Sequence, residues 1–192
     1  MADEIDKLEA TPLTDEALRR VMPTTPIWLW SDLQHVKHAD DLFDDGRAII
    51  YLYSSPTFGH WLGLCLVPDH DGDGVRDVEA FDSYSGWPGD ELANVPASVR
   101  KQMGQTADFL AKLLFDPKSN RRNVVLNGTR LQRVSPDVQT CARWVALRLA
   151  HNDKTAEDFA AFVASHLSPE LSDLDEVVVS LTRAMDPLPL PT

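Results

Sequence analysis

Apolar positions change spacing along the chain, and the changes divide it into elements. Residues 14–20 follow a capping-box-like start, Thr14-Asp15-Glu16, and read as a short helix that Pro23 ends. Residues 27–30 are a brief apolar run, and Ser31 and Asp32 open a turn or helix reaching about Phe43. After a turn at Asp44-Asp45-Gly46, residues 48–53 are rich in β-branched and aromatic side chains and predict a strand. Residues 60–67 and 76–81 predict two more, joined across an Asp- and Gly-rich hairpin loop at 68–74. Val99, Met103, Ala107, Leu110, Leu113 and Leu114 form a helical stripe, so residues 99–115 read as one helix. A short strand follows at 123–126. Residues 143–151 are apolar on most sides, which marks a central, buried helix. Two further helices are expected over 155–166 and 172–185.

This order predicts an α+β fold, a small, mostly antiparallel sheet with helices packed on it. There is no internal repeat and no low-complexity segment apart from the proline-rich end. The expected organisation is a single domain over residues 1–185 and an extended tail over 186–192. A length of 192 residues suits one full core and is short for two. No stretch is apolar for the ~18 residues of a membrane span. The charged, acidic N-terminus argues against a secretory signal.

Charge and cysteine content narrow the class. A net charge of −12 argues against a nucleic-acid partner, because phosphate contacts need clustered Lys and Arg. The one basic cluster, Lys118 to Arg122 with Arg130 and Arg133, is read as a solvated loop. Two cysteines cannot build a disulfide framework, so a reducing compartment is expected.

Those two cysteines differ in setting. Cys65 lies inside an apolar strand and reads as a small core residue. Cys141 stands at the first turn of the central helix, after a polar loop holding Pro136 and Asp137. A helix N-terminus carries partial positive charge and favours a thiolate. A thiol near its free pKa of ~8.5 still needs an imidazole to deprotonate it. His60 begins one strand and Asp82 follows the next, so the two should meet at one end of the hairpin. There the Asp can hold the second ring nitrogen and fix the tautomer. Trp61 would shield the pair from water.

Gly59-His60-Trp61-Leu62-Gly63-Leu64, Phe81-Asp82-Ser83-Tyr84-Ser85-Gly86, and Leu131-Gln132 through Thr140-Cys141-Ala142-Arg143-Trp144 together carry a resemblance. Over about residues 14–181 the chain resembles the adenain-like cysteine peptidases. These share a fold with ubiquitin-like-protein-specific proteases and have relatives in large DNA viruses and tailless phages. The resemblance implies a papain-like, adenain-like fold whose central helix starts at the nucleophile. It implies Cys141 as nucleophile, His60 as base, Asp82 as its orienting partner and a Gln upstream of the cysteine in the oxyanion hole. Gln132 and Gln139 are the candidates, and the family's spacing favours Gln132. Ala142 stands where the family usually has Gly, and Ala suits a helix start. Trp61 is the expected substrate-contacting residue.

The implied activity is endopeptidase cleavage of viral structural or scaffold precursors after small residues, often Gly, during capsid maturation. The virion or host cytoplasm is then the expected location, no cofactor is required, and an activating peptide is compatible with the family. Two other functions remain open: an isopeptidase acting on a host ubiquitin-like protein, and a non-catalytic binding module that keeps the fold.

The sequence contains a second pattern. Asp69-His70-Asp71-Gly72-Asp73-Gly74 opens like a D-x-D-x-D-G calcium loop, with Asp69, Asp71 and Asp73 as candidate ligands. Ala80 stands where the closing Glu belongs, Glu79 is one place short, and Asp77 takes the ninth position. The loop is expected on a hairpin rather than between two helices. A solvated acidic turn is the preferred reading, and no metal is assigned.

Overall fold

A computed structural model describes residues 2–87 and 89–186. Its centre is a five-stranded sheet in sequence order, β1 (Ile27–Leu29), β2 (Arg47–Ser55), β3 (Phe58–Val67), β4 (Asp77–Phe81) and β5 (Val124–Leu126). The long central pairings, β2 with β3 and β3 with β4, are antiparallel, and the short edge strands β1 and β5 pair parallel to their neighbours. Parallel neighbours need a crossover. Two 3-10 turns, Trp30–His35 and Ala39–Leu42, supply it between β1 and β2. Three short helices, α3 (Asp90–Asn94), α4 (Ala97–Gln102) and α5 (Phe109–Phe115), supply it between β4 and β5.

Each face of the sheet is covered. On one side α6 (Cys141–Ala150) packs across β3, flanked by α2 (Asp15–Val21), α7 (Ala156–Ala164) and α8 (Leu174–Leu181). A Cβ at Gly63 would lie 3.3 Å from Val145, so a bare backbone is what lets α6 sit this close to β3. On the other side Trp30, Leu33 and Leu42 from the 3-10 turns meet Leu110, Leu113 and Leu114 of α5. β3 is therefore buried on both faces and reads as a nearly continuous apolar run. The molecule is α+β, with a sheet flanked by helices.

Several boundaries differ from those the sequence suggests. The expected helix over 99–115 is two helices. Gly104, at φ +69°, ends α4, and Asp108 starts α5 by accepting the Ala111 N–H at 2.9 Å. Between them, the Gln105 side chain pairs with both backbone groups of Tyr53, at 2.7 and 2.9 Å. The apolar stripe spans both helices because both pack on one layer. The segment 31–43 forms 3-10 turns. Residues 54–59, between the strands expected at 48–53 and 60–67, form a tight turn at Pro56 and Thr57, with the strands extending on either side. α1 (Ala2–Glu9) was not legible in the charged N-terminus; it lies against α8. The expected tail at 186–192 lies, beyond Asp186, outside the described residues.

Candidate active site

α6 starts at Cys141, so the backbone N–H groups of its first turn have no intrahelical acceptor. The residue before it, Thr140, gives its hydroxyl to Asp175 on α8. Asp175 also accepts from the Trp144 indole at 2.9 Å and the Arg133 N–H at 2.8 Å. One buried carboxylate thus ties together the loop before the cysteine and the first turn of its helix. Burial raises the Asp175 pKa, and these donors oppose the rise.

His60 sits near the start of β3, and Asp82 directly follows β4. The register Gly63 to Phe81 brings these two ends together, and His60 Nε2 lies 3.0 Å from Asp82 Oδ1. A carboxylate can only accept, so Nε2 carries the proton and Nδ1 is left as the acceptor. Cys141 is the other group whose proximity acts on the ring. Burial opposes charge on His60. The hydrogen bonds and charges of Asp82 and Cys141 outweigh it and hold the imidazole pKa well above its usual value.

Asp82 is itself held in place. Its Oδ1 also accepts the Tyr84 N–H at 2.8 Å. Asn127, just after β5, accepts the Asp82 N–H at 2.9 Å and donates to its carbonyl at 2.6 Å. Tyr84 stacks on the His60 ring, with centroids 5.2 Å apart and planes 22° apart. Neither contact was foreseen from the residue pattern. Asn127 lies 45 residues from Asp82, and only a parallel β4–β5 pairing, which the sequence does not announce, makes them neighbours.

Cys141 opens into a cleft of about 620 Å³, whose wall includes Trp61, Tyr51, Gly59, Leu13 and Gln139. The Trp61 and Tyr51 rings lie 4.3 Å apart. A Cβ at Gly59 would fall 2.3 Å from the Leu52 carbonyl and 2.6 Å from the Tyr51 ring, so a side chain there would displace this wall. Burial, the neighbouring Tyr53 and Cys141 push the Tyr51 phenol up to about 12.

The two glutamines part company. Gln132 is buried against the turn after Asp82, where its Oε1 accepts the Ser83 hydroxyl at 2.7 Å and its Nε2 reaches the Val138 carbonyl at 3.4 Å. Gln139 lines the cleft and donates to the Pro136 carbonyl at 3.0 Å. Cys65 is fully buried under α6, and burial pushes its thiol up to about 12. Of the basic residues, Arg122 pairs with Asp40 and Arg133 with Glu9 and Asp173, so neither is a free cation.

No protein-family model matches the chain. It is similar to "Uncharacterized protein V9" of Sputnik virophage, at 27% identity over 157 residues covering 81% of this chain and 85% of that protein. Among solved structures it is similar to ASFV pS273R protease, at 16% identity and a TM-score of 0.41, over 90% of this chain and 67% of that one. At that TM-score the likeness is loose, and the chemistry below is argued from this chain's own residues. They are a thiol at a helix start, an imidazole whose Nδ1 is not engaged by the carboxylate, and a buried carboxylate fixing that imidazole. Such a set can activate a sulfur nucleophile. No helix among the described residues is long and apolar enough to cross a membrane.

Proposed function

We propose that this chain is a cysteine endopeptidase. His60 Nδ1 takes the Cys141 proton, and the sulfur attacks the scissile carbonyl carbon. The oxyanion is held by the Cys141 N–H and the Gln132 side chain. The intermediate collapses to a thioester as His60 returns the proton to the departing amine. Water then attacks the thioester with His60 as base, releasing the acid and restoring the thiol. Asp82 keeps Nε2 protonated and stabilises the imidazolium throughout. The observation that carries this reading is the buried Asp82–His60 hydrogen bond beside a thiol that faces a cleft.

The aromatic wall formed by Trp61 and Tyr51 beside the sulfur suits a small residue, such as Gly, next to the cleaved bond. With a virophage protein as a relative, a virus's own structural or scaffold precursors are the proposed substrates, cut during capsid maturation. The site of action would be the virion or the host cytoplasm, where both thiols stay reduced. An activating peptide remains compatible with this scheme.

The test pairs a thiol-directed active-site probe with a peptide-cleavage assay on wild type and Cys141→Ala. Labelling of one thiol and cleavage are expected in wild type, and both should vanish in Cys141→Ala while its melting temperature stays close to wild type. Ala favours the helix start, so loss of the fold is not expected. Full cleavage by Cys141→Ala would end the proposal.

A further inference from the structure

The β3–β4 hairpin ends in a loop far from the cleft, since the seven residue-to-residue steps from His60 to Val67 span about 23 Å of strand. Four aspartates lie within it or at its exit: Asp69, Asp71, Asp73 and Asp77. Oxygens of Asp69, Asp71 and Asp77 all lie within 4.8 Å of one another. None of the four aspartates forms an ion pair among the described residues. The nearby cations are directed elsewhere: Arg76 donates to the Leu66 carbonyl, and Arg122 pairs with Asp40 and donates to the Arg76 carbonyl.

Asp77 provides an independent observation. It opens β4 and is 1% exposed, and its Oδ2 accepts the His70 N–H at 3.1 Å. Its Oδ1 is buried with no hydrogen-bond partner among the described residues. A buried carboxylate oxygen without a partner is costly, and two more carboxylates beside it add repulsion. A divalent cation removes both penalties at once.

We propose that this loop binds one calcium ion through Asp69, Asp71 and Asp77. Oxygens 2.3–2.6 Å from a shared ion lie within about 5 Å of each other, which is the spacing present. Asp69 already accepts the Gly72 and Gly74 N–H groups at 2.8 and 2.7 Å, and Asp71 accepts from Asn123 Nδ2 at 2.8 Å. Both carboxylates keep lone pairs beyond these bonds. Gly72 and Gly74, at φ +80° and +84°, give the loop its tight turns. The ligand set differs from the one spacing suggests, because Asp77 replaces Asp73 as the third carboxylate. Glu79 contributes nothing, being locked to Arg148. Calcium fits better than magnesium, since an irregular set of carboxylate ligands suits its tolerant coordination. The ion would pin the distal end of the hairpin whose other end carries His60 and Asp82.

The test is calorimetric titration of chelator-stripped protein with CaCl2 and, separately, MgCl2, alongside thermal melts with and without calcium. One calcium per chain, at least tenfold weaker magnesium binding and a calcium-dependent rise in melting temperature are expected. Asp77→Asn and the exposed Asp71→Asn should each weaken calcium at least tenfold, and Asp71→Asn keeps the test valid if Asp77→Asn misfolds. Absence of saturable binding up to about 10 mM calcium, beyond the weakest modules of this kind, would overturn the site. So would unchanged affinity in Asp71→Asn, or magnesium binding as tightly as calcium.

Discussion

Asp82 Oδ1 serves both the His60 ring and the Tyr84 N–H, while Asn127 holds the backbone on either side of it. Asp82→Asn would keep the size and lose the charge that stabilises imidazolium. Burial of His60 would remain, so its pKa should fall from its raised value. NMR titration of the ring checks this, and peptide turnover should slow by at least tenfold. A rate within twofold of wild type would make Asp82 a turn residue. Glu9 poses a different question of charge. It is almost fully buried, and burial first, then the Asp173 charge, push its pKa from 4.5 to about 7 despite Arg133. A carboxyl whose folded pKa is raised stabilises the fold below pH 4.5, and that contribution is lost as pH rises through 7. Glu9→Gln should therefore melt higher than wild type at pH 8 and lose that advantage by pH 4.5. Melting curves at the two pH values settle the sign.

The loop leading into α6 decides how the oxyanion would be held. It starts beside Asp82, where the Leu131 and Gln132 N–H groups both donate to the Ser83 carbonyl at 3.0 Å. It finishes at Gln139, whose N–H donates to the Glu9 carbonyl at 2.7 Å. Gln132 is fixed through its Oε1, with Nε2 making only one long bond, so an N–H remains to be offered. Gln132→Ala should lower turnover by about 10² or more, the scale for one lost donor, and Gln139→Ala much less. The reverse ranking, measured under identical conditions, would assign the donor to the cleft-lining Gln139. Helix lengths are where periodicity misleads at this scale. Residues 99–115 keep one apolar stripe, yet Gly104 and the Asp108 cap divide them.

At the scale of the molecule, two apolar layers hold the sheet, and among the described residues one ion pair joins sheet to helix. Arg148 of α6 meets Glu79 of β4 through two bonds, at 2.9 and 2.6 Å, with both side chains fully buried. Arg148 also donates to the His151 and Lys154 carbonyls at 2.6 and 2.9 Å, which brings four of its five N–H groups into hydrogen bonds. Removing one partner leaves a buried charge alone, so Glu79→Ala should cost about 3–5 kcal/mol. Replacing both, as Glu79→Leu with Arg148→Met, should recover most of that because the volume stays apolar. Urea denaturation of the two variants makes the comparison. A loss below 1 kcal/mol in Glu79→Ala would mean that water or another cation reaches the site.

Local patterning determined the strands β2, β3 and β4, the central helix and the α+β class, because β-branched runs, turn residues and apolar periodicity act within a few residues. It also made the meeting of His60 with Asp82 legible, since a hairpin's two ends are neighbours by register alone. Local setting told the two thiols apart before any contact was known, Cys65 inside an apolar strand and Cys141 at a helix start. The tertiary structure alone decided the rest. Asn127 on Asp82, Tyr84 over His60, Asp175 beneath the α6 start and Arg148 on Glu79 are choices of partner. Each is made by a polar group that burial deprives of water, which must take whatever complementary group the packing brings near. Such partners lie 24 to 69 residues apart in the chain, or on opposite layers, and no local period encodes them.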